Sequence, residues 1–103
     1  MALEVGKPLT EGLAEVNGSA DIFEWNAEET KRIYGQTVES RFKDTRVHVY
    51  YQPIGVVAAL SPWNFPLVLS SRKISTALAA GCSVIIKPDV ITPGVIMELV
   101  DIC

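Results

Sequence analysis

From Ile54 to Leu60 the chain reads Ile-Gly-Val-Val-Ala-Ala-Leu, without one polar side chain. A strand wetted on one face alternates apolar and polar residues. An unbroken apolar run instead describes a strand covered on both faces, as in a parallel sheet. Ser83-Val84-Ile85-Ile86-Lys87 has the same character. Between the two runs, Pro66 to Ala80 reads as a helix with Leu67, Ser70/Ser71, Ile74 and Leu78 on one side, and Gly81 ends it. Thr92-Pro93 then opens a last helix, with threonine as N-cap and proline at the first helical position. Strand, helix, strand, helix predicts an α/β fold: a partial Rossmann-like parallel sheet (βαβα) with a right-handed crossover.

The residues before Pro53 have a different style. Residues 1–6 look like a last helical turn, stopped by Gly6 and Pro8. Thr10 is a plausible N-cap for a long helix. Its apolar face is read from Leu13, Val16, Ala20, Phe23, Ala27 and Ile33, and Gly35 follows as its stop. Gly12 and Gly18 each cost that helix ~1 kcal/mol relative to alanine, which suggests close packing against another element. Gln36 to Phe42 and Thr45 to Gln52 read as two short strands, with Lys43-Asp44 as the turn between them. Such a two-stranded ribbon is marginal in water unless something packs on it. The expected division is 1–35 as a helical part, 36–52 as a ribbon and 53–103 as the βαβα unit.

Composition excludes several classes of partner. The chain has 103 residues and a formal net charge of −3, and its longest basic runs are the pairs Lys31-Arg32 and Arg72-Lys73. Phosphate backbones need a concentrated basic face, so nucleic acid is not an expected partner. No apolar run approaches the ~20 residues of a membrane helix, and the first residues lack the basic and apolar regions of a secretion signal. Two cysteines, Cys82 and Cys103, make neither a disulfide framework nor a metal site. The expectation is a soluble cytoplasmic protein. Two parallel strands apolar on both faces also need more helices and more strands than one βαβα unit supplies. The chain is therefore expected to be incomplete as a folding unit, either a fragment or a piece that hides this surface by association.

The chemistry centres on Ser61-Pro62-Trp63-Asn64-Phe65-Pro66. This segment lies past the C-terminal end of a buried strand and before a helix, where open α/β sheets bind ligands. Two prolines fix it, and Asn64 offers both amide donors and a carbonyl acceptor. A rigidly held amide N–H there can stabilise a developing oxyanion. On spacing alone, capping the helix that starts near Pro66 is the more ordinary role for an asparagine.

Pro62-Trp63-Asn64-Phe65-Pro66, followed by Ala79-Ala80-Gly81-Cys82-Ser83-Val84-Ile85-Ile86-Lys87-Pro88 and Thr92-Pro93, resembles the aldehyde dehydrogenase superfamily. Glu4-Val5-Gly6-Lys7-Pro8-Leu9, Ile22-Phe23-Glu24-Trp25 and Tyr34-Gly35 also resemble it, and lean toward its NAD(P)-dependent succinate-semialdehyde branch. The resemblance covers essentially the whole chain and implies a fragment of that fold. It implies an intact enzyme that oxidises a small aldehyde to an acid with NAD or NADP: a thiolate attacks the carbonyl, hydride is transferred, and water releases the acyl group. Asn64 is implied as the oxyanion donor. Ser61, Pro62, Trp63 and Asn64, with Leu60, are implied to line the nicotinamide-ribose side of the cofactor cleft. Lys87 is implied to bond the adenosine ribose hydroxyls, although on the bare sequence it would read as a solvated strand-end lysine. The ribbon 36–52 resembles strands through which family members pair subunits, which implies a homo-oligomer.

One position departs from the family pattern, Lys-Pro-x-Glu-x-Thr-Pro. Val90 stands where the glutamate accepts from the adenosine ribose, and valine accepts nothing. The resemblance then implies weaker NAD binding or relaxed discrimination against NADP. Asp89 is adjacent and expected to point elsewhere. The family's nucleophilic cysteine, general-base glutamate and Gly-Ser-Thr loop have no counterpart here. Cys82 reads as a buried small hydrophobe, and Cys103 has no role to assign. His48 reads as a surface residue. Glu11, Glu15, Glu24, Glu28 and Glu29 read as the solvated face of the long helix. No Gly-x-Gly-x-x-Gly fingerprint is present. The isolated chain is therefore expected to be inactive. The rival reading is a non-catalytic association module that pairs with itself or with full-length subunits.

Overall fold

A computed structural model describes all 103 residues. A short helix α1 (Ala2–Val5) leads into the long helix α2 (Leu9–Glu29), which ends in a 3-10 turn (Thr30–Arg32). Strands β1 (Gln36–Glu39) and β2 (Arg46–Val49) form the ribbon. Then come β3 (Val56–Leu60), α3 (Pro66–Ala79), β4 (Ser83–Lys87) and α4 (Gly94–Ile102). The expected βαβα order holds, and β3 pairs parallel with β4, Val56 opposite Ser83 and Leu60 opposite Lys87.

Several helix ends differ from their sequence signals. Thr10 lies inside α2, whose cap position is Pro8, because Pro8 can already set the chain at the start of a helix. Gly35 is not the stop, since α2 has given way to the 3-10 turn by Thr30. At α4 the cap position is Pro93 rather than Thr92, and the Thr92 hydroxyl is buried without a partner. Gly81 does close α3, at φ 77° in the left-handed region.

The two parallel strands are covered on one face only. Val57 and Ala59 turn toward α3 with Val84 and Ile86, while Val56, Leu60 and Ile85 stay largely exposed on the other face. The apolar runs were expected to be buried on both sides, and these residues supply cover for one. The core is the meeting of α3 with the sheet and with its neighbouring helices, around Ala59, Leu67, Ile74 and Ile96.

The buried stripe of α2 is not its apolar stripe. Glu15 and Ser19 are buried and Asn26 reaches α3, donating to Ser75 Oγ at 3.0 Å. Ser70, Ser71 and Ser75 are all buried on α3, the hydroxyls of Ser70 and Ser71 without a hydrogen-bond partner. Leu13 and Val16 remain exposed, and Val16, Ala20 and Phe23 line an open apolar groove of about 580 Å³ between α2, α3 and α4. Close packing at Gly12 and Gly18 is also absent, because an added Cβ would meet nothing within 4 Å at either position. The ribbon is shorter than expected and exposed throughout. Its Thr37–His48 cross-strand pair is linked at 3.1 Å between hydroxyl and Nδ1.

These two kinds of glycine predict opposite outcomes. Gly18→Ala fills open space in a helix interior and should raise the unfolding free energy by about 0.5–1 kcal/mol. Gly81→Ala forces a side chain to positive φ, with its Cβ 2.9 Å from Pro53 Cγ, and should lower it by about 1–2 kcal/mol. Urea unfolding midpoints of the two variants check both signs.

Candidate functional site at the carboxyl edge of the parallel strands

β3 hands over to the loop without losing its pairing. The Ser61 amide donates to the Lys87 carbonyl at 3.2 Å, carrying the ladder one step past Leu60. Ser61 is buried, and Pro62 then turns the chain outward. Trp63 and Phe65 are half-exposed, and Pro66 starts α3 at a position where a missing N–H costs nothing. The loop and the end of β4 therefore occupy one edge of the sheet, and Leu60 and Lys87 are direct neighbours there.

The Asn64 side chain is exposed and makes no hydrogen bond within the chain. It does not cap α3. Phe65 holds the cap position and offers no side-chain bond. The cap comes instead from Glu15 on α2, whose Oε1 accepts from the Leu67 amide at 2.8 Å and the Val68 amide at 3.1 Å. Its other oxygen takes the Lys7 ammonium at 2.5 Å, with both side chains almost wholly buried. Lys7 also donates to the Asn64 carbonyl at 3.0 Å and lies 4.0 Å over the centre of the Phe65 ring.

Glu15 is thus not on the solvated face of α2. Its charge has three donors and the positive end of a helix, which is what a buried carboxylate requires. Neither Lys7 nor Glu15 stood out in the sequence as a site residue. The available signal was the small, polar stripe Glu15, Ser19, Asn26, matching serines 70, 71 and 75 across the interface.

α4 is served in the same way. Its Gly94 amide donates to Glu4 Oε1 at 2.7 Å. Helix N-termini at this edge are where nucleotide folds commonly hold a pyrophosphate. Here both are taken by the chain's own carboxylates, which would repel a phosphate.

Lys87 is exposed, and its ammonium meets only the adjacent Pro88 carbonyl, at 3.3 Å. It can reach a ligand hydroxyl at no internal cost. Val90 is largely exposed and presents no acceptor. The backbone there is a turn rather than extended. Asp89 commits one carboxylate oxygen to the Ile91 amide at 3.0 Å. Cys82 is buried and free, Cys103 exposed and free, and His48 lies out on the ribbon, stacked on Tyr50. No cluster of His, Cys, Asp and Glu is able to hold a metal. No helix is long and apolar enough to cross a membrane.

Removing half of the Lys7–Glu15 pair leaves a buried charge alone. Glu15→Ala should therefore cost about 3–5 kcal/mol of stability. Glu15→Gln keeps an oxygen for the Leu67 and Val68 amides and should cost less. Denaturant unfolding of both variants checks the ranking; an alanine variant as stable as the parent chain would refute the cap.

Residues 1–103 match the model of the aldehyde dehydrogenase family. The chain is 46% identical over 101 residues to a 4-(hydroxymethyl)benzenesulfonate dehydrogenase of Comamonas testosteroni, covering 98% of this chain and 21% of that protein. It is 48% identical over 102 residues to the NADP(+) succinate-semialdehyde dehydrogenase GabD of Escherichia coli, covering 99% of this chain and 21% of that one. It superimposes with a TM-score of 0.94 on the crystal structure of an E. coli NADP dependent enzyme, at 48% identity over 97% of this chain and 21% of that chain. The chain thus spans about a fifth of the length of the relatives it matches.

Proposed function

The chain belongs to the aldehyde dehydrogenase family, and we propose from that membership that it forms one wall of the active site of an enzyme oxidising an aldehyde to a carboxylic acid. The single observation behind this reading is the Asn64 side-chain amide. It is exposed at the carboxyl edge of the parallel pair, bonded to nothing in the chain, in a loop held on both sides. An aldehyde carbonyl attacked by a thiolate becomes an oxyanion, and the Asn64 N–H donates to that oxygen. An amide donor near that oxygen stabilises the charge as it develops. The thiolate and the general base come from outside these residues.

NAD or NADP fits this edge in part. The cofactor would supply a hydride acceptor. Lys87 would hold the adenosine ribose hydroxyls, and Ser61, Pro62, Trp63 and Asn64 would border the nicotinamide-ribose side. With both helix N-termini occupied by Glu4 and Glu15, the pyrophosphate is held by other residues. Val90 withholds the ribose acceptor and places no charge against a 2′-phosphate, which favours NADP over NAD. The relatives' names point to a small aldehyde carrying a remote acid group, and succinate semialdehyde is the substrate we propose.

A second role has its own support. The ribbon is exposed on both faces and belongs to a shape 65 Å long and 23 Å wide. An uncovered two-stranded ribbon gains stability by adding a strand. We assign it to pairing with another subunit, and the same surface would serve a non-catalytic association module.

Two substitutions test the site in a chimera that carries this chain in place of the matching segment of the E. coli relative. Asn64→Ala should lower kcat for succinate semialdehyde by about 100- to 1,000-fold, the usual loss of one oxyanion donor; an unchanged kcat refutes the role. Val90→Glu adds a ribose acceptor and a charge. It should tighten NAD and weaken NADP, moving their KM ratio by about tenfold or more. Steady-state kinetics with both cofactors reads the shift.

A further inference from the structure

We propose that Lys7 and Glu15 are positioning residues that fix the backbone from which the Asn64 side chain projects, a step that rests on the oxyanion reading of Asn64. The two prolines of the loop fix their own φ angles and restrict the residue before each, Ser61 and Phe65. Trp63 and Asn64 keep their freedom, and the Asn64 side chain has no internal hydrogen bond to hold it. The hold is on the backbone. Lys7 Nζ takes the Asn64 carbonyl at 3.0 Å and covers the Phe65 ring at 4.0 Å, gripping the peptide unit that joins the two residues.

Lys7 can do this because Glu15 fixes the ammonium in turn. The Lys7 and Glu15 side chains are 8% and 2% exposed, so water competes little for either. Glu15 is itself fixed by the Leu67 and Val68 amides of α3. A closed chain of contacts results: α3 orients Glu15, Glu15 orients Lys7, and Lys7 orients Asn64 and Phe65, the two residues just before α3. Each side chain has several partners in different directions, so a shift in one is resisted by the rest.

A cap that only stabilised α3 would need Glu15 and no lysine bonded to Asn64. The distinguishing consequence is a functional coupling between Lys7 and Asn64. Near-attack geometry is steep, and a misplacement of about 1 Å can cost on the order of 100-fold in rate.

The test uses the same chimera, with kcat, KM and thermal midpoint measured for each variant. Lys7→Met should lower kcat by about 10- to 100-fold and leave the KM for NADP within about twofold. Glu15→Gln, which keeps an acceptor for α3 but releases the ammonium, should follow it. Lys7→Arg keeps the positive charge and the donors in a larger, planar head, and should retain more of kcat than Lys7→Met. In an Asn64→Ala background, Lys7→Met should cost no further kcat, because a positioning residue has nothing left to position. Losses that multiply between Lys7→Met and Asn64→Ala would overturn the proposal. So would a normal kcat in Lys7→Met beside a reduced one in Asn64→Ala. A normal kcat in Asn64→Ala itself would instead remove the oxyanion role on which the proposal stands.

Discussion

The carboxylate of Glu15 is the constraint on which the rest of this structure depends. It lies where a helix from the first third of the chain meets the start of the crossover helix, and it is almost entirely out of water. A bare carboxylate there would be prohibitive. Two amides of α3 and one ammonium make it tolerable, and each fixes something else in doing so. The amides set where α3 begins relative to α2. The ammonium sets the loop between β3 and α3. An apolar pair of the same volume could stabilise the interface equally well. It could not set direction in the same way, because dispersion contacts have weak angular preference and hydrogen bonds have strong ones.

The same choice decides the chemistry of the sheet edge. In a parallel α/β unit the free amides at helix N-termini are the natural anion sites. Glu15 and Glu4 fill those of α3 and α4 from within. What remains facing outward is a neutral amide, Asn64, and two exposed ammoniums, that of Lys87 and that of Lys73, which donates to the Leu60 carbonyl.

Much of the architecture was legible because it rests on local signals. The apolar runs 54–60 and 83–87, with Gly81 between them, mark the two strands and the end of α3, and the parallel pairing follows from the crossover length. The ribbon was visible in its alternation. The long helix was visible too, but its facing was not. Leu13, Val16 and Ala20 form the stripe that hydrophobicity selects, whereas Glu15, Ser19 and Asn26 form the stripe that packs. Hydropathy cannot anticipate a buried carboxylate, because its burial depends on partners 52 and 53 residues away in sequence. The cap of α4 failed for the same reason. Thr92 has the right local chemistry for α4, yet a distant glutamate occupies the amide. At the candidate site, short motifs singled out Asn64 and Lys87, and both are exposed at the edge of the sheet. Lys7 was not, since its role exists only once α2 and α3 are side by side.

The polarity of the α2–α3 interface has a further consequence for how the loop behaves. Ser70, Ser71 and Ser75 are small, so the two helices approach closely and leave little room to slide. A larger apolar interface would tolerate rotamer changes and small shifts in register. Here a shift of α2 along α3 would draw the Glu15 carboxylate away from two amides and strand it beside none, which is far more costly than losing a few methyl contacts. The position of the Asn64 loop therefore inherits the stiffness of the helix pair rather than that of its own short sequence. The exposed face of β3 and β4 has no such anchor within these residues.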